Sequence, residues 1–239
     1  MNVYKINTVR ELIEGNPYVG RGIIIGKTED GKHAAVAYFI MGRSANSRNR
    51  VFVKRDGALY TEPFDASKVE DPSLIIYAAL REYKNKLVVT NGDQTDTIVD
   101  ALAWGGTFEQ ALETRAFEPD SPNFTPRISG IIDFKDGDFT YKMSILKSVD
   151  EAGTDCARFA FSYPSKAGLG NFIHTYVTDG APIPTFQGEP ERILVPDDID
   201  EFTNELWNAL DENNKISLYT RYIDLSDMSA EERIINKNV

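Results

Sequence analysis

One cysteine and two histidines are all that 239 residues offer of the side chains most often used for disulfides, thiol chemistry and zinc. With Cys156 alone, no internal disulfide can form and a four-cysteine zinc site is excluded. His33, in a predicted turn, and His174, in a predicted strand, do not stand in a metal-ligand spacing, so no metal site is expected. Cys156 follows Asp155 in a predicted strand and reads as a small core residue rather than a nucleophile. Long apolar runs are missing too: none approaches the roughly 18 residues of a membrane span. The opening segment MNVYKINTVRELIEGN lacks the apolar stretch and small-residue cleavage site of a secretory signal, and residence in the cytoplasm is expected. Nor is positive charge in surplus. A net charge of −11 argues against general affinity for nucleic acid or anionic membranes, so any local gathering of arginines is informative.

What is present suits an ordinary globular chain, with 41% hydrophobic and 11% aromatic residues. A fold of this length buries roughly 70–75% of its unfolded surface. Residues 1–16 read as a short amphipathic helical extension, with Val9, Leu12 and Ile13 on one face and Gly15, Asn16 and Pro17 ending it. GRGIIIG and HAAVAYFIMG, separated by Glu29-Asp30-Gly31, predict a hairpin of central strands. VFVKRDGALYTEPF repeats the pattern around Asp56-Gly57. Residues 73–84 fit helix and strand equally well. KLVVTNG is a short strand. TDTIVDALAWG predicts a helix ended by Gly105-Gly106, and TFEQALETRAF a second, capped by Thr107. The Pro-rich segment from Glu118 to Arg127 is a loop, after which RISGIIDF, FTYKMSILKSV, CARFAFSY and FIHTYVTD read as strands. From Pro196 to the end the chain reads as an acidic helical tail, with Ile199, Phe202, Leu206, Trp207 and Leu210 as its apolar stripe. No repeat or linker interrupts it. One α+β domain over 1–239, with large antiparallel sheets and segregated helices, is the expected architecture.

The densest chemical signal is GRSANSRNR at 42–50. Arg43, Arg48 and Arg50, with Ser44, Asn46, Ser47 and Asn49, follow directly on apolar β residues. Guanidinium forks suit phosphate and carboxylate oxygens and keep their charge when partly buried, which favours an anion-binding loop over a solvated turn. TNGDQTDT at 90–97 leads from a strand into a helix and offers Asn91, Asp93, Thr95 and Asp96, with Gly92 permitting close approach. Thr95 or Asp96 could simply cap the helix, whose N-terminal amides would also attract anions. The spacing of Asp93, Asp96 and Asp100 is not that of a calcium loop. Glu118 and Arg127 bracket the Pro-rich loop, which alone could be chain reversal. Tyr77 and Arg81 would share a face if their segment were helical. GRGIIIG looks loosely like a dinucleotide fingerprint, but its glycines bracket a strand instead of opening a helix.

GRGIIIG, GRSANSRNR, VVTNGDQTDTI and NFTPRI, in this order, resemble the successive motifs of the archaeal-type IMP cyclohydrolases and their bacterial relatives. The likeness runs from about Tyr18 to Arg127 and is much weaker beyond, where pieces such as FIHTY look similar. It implies a four-layer α-β-β-α sandwich like that of the N-terminal nucleophile hydrolases. Those hydrolases expose a Cys, Ser or Thr at the mature N-terminus; this chain begins Met1-Asn2. The implied reaction closes the purine ring of 5-formamidoimidazole-4-carboxamide ribotide to give IMP, with loss of water and no cofactor. Matching the motifs position by position assigns Arg50, Tyr77 and Glu118 to catalysis, Glu118 as the preferred acid–base group. It assigns Arg21, Arg43, Asn91, Asp93, Thr95 and Arg127 to ribotide binding, the arginines facing phosphate. The expected partner is a small purine ribotide, and a homo-oligomer is expected. Two rivals remain: a purine nucleotide-binding protein that has lost catalysis, and an N-terminal nucleophile amidohydrolase. Glu118 and Tyr77 in place argue against the first, and the second needs a free N-terminal nucleophile.

Overall fold

Hydrophobic β-branched runs at 21–27 and 33–41 pair as the sequence predicts, and they form the middle of a sheet. The computed structural model describes residues 2, 4–69 and 76–238; part of the ambiguous segment 73–84 lies outside them. Strands are numbered in chain order. One antiparallel sheet has six: β1 (Arg21–Lys27), β2 (His33–Met41), β10 (Gly170–His174), β11 (Glu191–Ile193), β12 (Lys215–Asp224) and β13 (Ala230–Asn236), in the order β11-β10-β1-β2-β12-β13. The other has seven in chain order: β3 (Val51–Arg55), β4 (Ala58–Glu62), β5 (Tyr77–Tyr83), β6 (Lys86–Thr90), β7 (Arg127–Lys135), β8 (Asp138–Ser148) and β9 (Cys156–Pro164). The fold is α+β, with two antiparallel sheets and few helices.

Three apolar clusters explain how these pieces stack. The largest, with Ile23, Ile25, Val36 and Tyr38 from one sheet and Leu59, Leu80, Val89, Ile128 and Ile145 from the other, lies between the sheets. Residues of β1 and β2 pointing the other way, Ile24, Ala35, Ala37 and Phe39, pack against helices α1 (Val9–Ile13) and α5 (Ile199–Ala209). Val88, Ile131 and Leu146 do the same against α3 (Gln94–Ala103) and α4 (Phe108–Glu113). Strands buried on both faces read as continuous apolar runs, which is the texture of IIIGK and HAAVAYFIM.

Several expectations change. The helix of residues 1–16 is confined to Val9–Ile13, its N-terminus closed by a capping box of Thr8 and Glu11. The acidic helical tail of 196–239 is helical only over α5, which Asp198 caps. Beyond it, KISLYTRYID forms β12, in register with β2 and buried along nearly its whole length, and β13 comes after it. Alternating β-branched and aromatic residues there outweigh the acidic helical texture beside them. FIHTYVTD is a strand only as far as His174, and β11 carried no signal. His33 opens β2. The 77–83 segment is a strand, and one extra residue between the Leu59–Leu80 and Tyr60–Ala78 pairs makes a bulge. A bulge re-aims the side chains on either side of it, so Tyr77 points into the inter-sheet core while Arg81 pairs outward with Asp96 of α3 at 2.6 Å.

Candidate functional site

Arg21 opens β1, Arg50 precedes β3, and Glu118 lies on the loop before β7, so three remote segments end at the same edge of the sandwich. There they line a cleft of about 270 Å³, together with Tyr18, Arg43, Asp120 and Tyr176. Arg21, Arg50 and Glu118 are each buried, with relative exposures of 6%, 4% and 6%. Among the described residues, Nε of Arg21 and both Nε and Nη1 of Arg50 are buried without a hydrogen-bond partner. A buried donor left unpaired is costly, and a guanidinium more so, unless an anion supplies the acceptors.

The electrostatics follow from that crowding. Burial works against the charge of Arg21, but Glu118 and three tyrosines, Tyr18, Tyr77 and Tyr176, outweigh it and hold the guanidinium firmly protonated. Arg50 lacks that surplus: burial first, and then the like charge of Arg21, push its pKa down. Burial pushes the carboxyl of Glu118 up, partly offset by Arg21, Arg127 and Arg50. A carboxyl so placed keeps its proton to higher pH than an exposed one. Tyr77 and the fully buried Tyr38 share a hydrogen bond of 2.9 Å between hydroxyls, and Arg50 acts on both.

The loop that presents Glu118 is held from both sides. The Glu118 amide donates to the Thr125 carbonyl at 2.9 Å. Thr125 is gripped by the Asp120 carboxylate through its amide at 2.6 Å and also through its hydroxyl, which meets the Tyr176 hydroxyl at 2.6 Å. Asn91 reaches the next residue along, donating to the Pro126 carbonyl at 2.9 Å and accepting from the Ile128 amide at 2.9 Å. Asn91 and Glu118 are therefore fastened to the same short stretch of chain.

The remaining predicted residues divide. Arg43 lines the cleft, yet it is paired with Asp179, donates to the Gly180 carbonyl and lies 5.2 Å over the Tyr18 ring. Arg48 turns away to the Gly42 carbonyl and Asn214. The 42–50 segment thus scatters its three guanidiniums instead of presenting them together, and it contains a short helix, α2 (Ala45–Arg48), capped by Ser44. Asp93, Thr95 and Arg127 form an adjoining network that does not line the cleft. Asp93 binds Arg115 and Arg127, the latter at 2.7 Å, and Thr95 shares a 2.7 Å hydrogen bond with Thr90. Neither Thr95 nor Asp96 caps α3: Asp93 occupies the cap position but makes no capping bond, its carboxylate being engaged by the arginines. The close approach that Gly92 permits is by Arg127, whose Nη1 would lie 2.5 Å from an added Cβ.

Tyr18, Tyr38, Asp120 and Tyr176 are not among the predicted site residues. Tyr176 sits beyond β10, far along the chain from the other motifs, at the end of the short FIHTY piece; its ring stacks on Tyr18 at 5.8 Å. His174 is structural, bonded to the Tyr176 carbonyl at 2.7 Å and to Glu191 at 3.2 Å. A larger crevice of about 630 Å³ opens at the opposite end of the sandwich, among the 83–87 and 134–138 turns and Arg221. Its lining mixes basic and acidic side chains, and Arg221, although its Nε has no hydrogen-bond partner, is ion-paired with Glu82 at 2.5 Å and Glu232 at 3.6 Å; Arg21 and Arg50 of the smaller cleft leave three buried N–H groups unpartnered. No helix among the described residues is long and apolar enough to cross a membrane.

Fold and cleft together define an α+β protein with a recess of buried positive charge facing a buried carboxyl. The chain belongs to the IMP cyclohydrolase-like protein family, whose model matches residues 18–228. It is similar to an IMP cyclohydrolase of Methanopyrus kandleri, 42% identical over 120 residues, which cover 48% of this chain and 59% of that protein. The likeness to that of Methanocaldococcus jannaschii is 31% over 118 residues, covering 48% and 57%. With that of Methanococcus aeolicus it is 26% over 163 residues, covering 66% and 74%. The chain thus spans less than three fifths of the length of the first two relatives. The family match extends through β12, well past the motifs that end at Arg127.

Proposed function

We propose that this protein is an IMP cyclohydrolase, closing the ring of 5-formamidoimidazole-4-carboxamide ribotide in the cleft of Arg21, Arg50 and Glu118. One observation carries the reading: two buried guanidiniums with unpartnered N–H groups stand beside a buried carboxyl in a recess of about 270 Å³. The helix–sheet–sheet–helix stacking resembles the four-layer fold of the N-terminal nucleophile hydrolases, and the reading takes residues 1–239 as one such domain. Residence in the cytoplasm and action on a free purine ribotide belong to the same reading.

In the reaction the carboxamide nitrogen attacks the formyl carbon of the same molecule, a C–N bond forms, and the former formyl oxygen leaves as water. An amide nitrogen is a weak nucleophile, so its proton must be taken as the bond forms. Glu118, poised by burial, exchanges that proton and supplies one to the departing oxygen. Arg50 faces the oxygen as it gains charge; such stabilisation is often worth about 3 kcal/mol per donor. Tyr77, bonded to Tyr38 in the inter-sheet core, does not line the cleft and acts on the site through its field on Arg21 and Arg50. Arg21 and Arg43 hold the phosphorylated end, and the Asn91, Asp93, Thr95 and Arg127 network fixes the loop and helix that frame it. Both reacting groups sit on one ligand, so holding an attack-ready rotamer supplies several kcal/mol more.

The test is incubation with the formamido ribotide, in the presence of EDTA, and spectroscopic detection of IMP. Turnover is expected to survive EDTA and to fall at least about tenfold in Glu118→Gln, since general acid–base help is typically worth 10²–10⁴. No IMP from the wild type removes the proposed activity; undiminished turnover in the variant removes Glu118 alone.

A further inference from the structure

Two open sheets present four edges, and an uncovered edge is a template for another strand. Three of the four are guarded. On β11, only three residues long, the Leu194 amide donates to the Asn7 carbonyl and the Asn7 amide to the Arg192 carbonyl. The backbone of β3 is bound by Asn236, which accepts from the Phe52 amide at 2.7 Å and donates to its carbonyl at 3.0 Å. The edge strand β13 carries Glu231, Glu232 and Arg233 in succession.

The fourth edge, β9, has none of these devices. It runs for nine residues, Cys-Ala-Arg-Phe-Ala-Phe-Ser-Tyr-Pro, and among the described residues no strand pairs with its outer side. Its single charge, Arg158, does not guard it: the guanidinium folds back onto the carbonyls of Leu112 and Arg115 at the end of α4. Phe161 and Tyr163 pack on the inter-sheet core. Phe159, on the same face by alternation, is 44% exposed.

We propose that β9 is the edge through which two copies of this chain join, antiparallel, into one continuous sheet. The segment is self-complementary about Ala160. Opposed residues of an antiparallel pair lie on the same face of the sheet, so a two-fold axis perpendicular to the sheet must pass through a residue, which then faces its own copy. With the axis at Ala160, Phe159 meets Phe161 of the copy on the inner face. Arg158 meets Ser162 and Ala157 meets Tyr163, so no like charges oppose. The exposed Phe159 is thereby covered, and the partner is a second identical chain because each half of the strand complements the other.

The test is mass in solution by light scattering at micromolar concentration. The wild type is expected at twice the chain mass. Ala160→Lys, on an exposed position, sets two lysines against each other and is expected at the single-chain mass with the circular dichroism of the folded chain and a cooperative melt, lowered only by the lost association. Separately, Ala160→Cys in a Cys156→Ser background is expected to yield a covalent dimer with a short bis-maleimide, while Cys156→Ser alone does not. A monomeric wild type, a dimer that persists in a folded Ala160→Lys variant, or no cross-linking through residue 160 each overturns the proposal.

Discussion

Glu118 is buried beside two arginines, yet burial dominates and its pKa stands above the ordinary value of 4.5. That displacement has a signed consequence for stability. At pH well below 4.5 the carboxyl is neutral in folded and unfolded chains alike. As pH rises, the unfolded chain releases its proton first, so ionisation favours unfolding until the folded carboxyl also ionises. Relative to Glu118→Gln, the wild type is expected to lose stability with rising pH through this window and no further above it. Thermal melts of both proteins across pH check this; a difference that is flat, or a wild type that gains stability relative to the variant as pH rises, contradicts the burial account. Arg50 and Glu118 were legible in the sequence because each sits in a compact motif, SRNR or the Pro-rich loop. Arg43 was legible as a charge but not in its pairing, since Asp179 lies far along the chain. Tyr176 was passed over because its contacts with Thr125 and Tyr18 span the fold, whereas Asp120 grips Thr125 only five residues on, inside a loop read mainly for its prolines.

Among the elements, those closed by local chemistry were read correctly. Asp56-Gly57 turns β3 into β4 with both residues at positive φ, and Thr107 caps α4 through a box with Gln110. Thr107→Ala is expected to cost about 1 kcal/mol in urea unfolding. Elements fixed by tertiary pairing were misread. β12 comes after an acidic helix, and only its position between β2 and β13 makes it central. The same hairpin is tied to the other sheet through Asn236, whose side chain meets both backbone groups of Phe52. Asn236→Ala leaves those groups short of a partner and is expected to destabilise by about 1–3 kcal/mol. A change smaller than about 0.5 kcal/mol would mean that water replaces the clamp without loss.

Across the whole molecule, the sandwich buries two guanidiniums with unpartnered N–H groups in one cleft although the chain carries a net charge of −11. Loops from both sheets contribute, so the recess exists only when the sheets are stacked. This explains why composition pointed away from anions in general while two motifs pointed toward one. The most direct measurement is calorimetric titration with the imidazole carboxamide ribotide that lacks the formyl group and cannot cyclise, alongside its riboside without phosphate. Tight binding of the ribotide is expected, at least about tenfold weaker binding of the riboside, and a similar loss for the ribotide in Arg21→Gln; tenfold corresponds to about 1.4 kcal/mol. Equal affinity for ribotide and riboside, or undiminished ribotide binding in the variant, would contradict a phosphate held by Arg21.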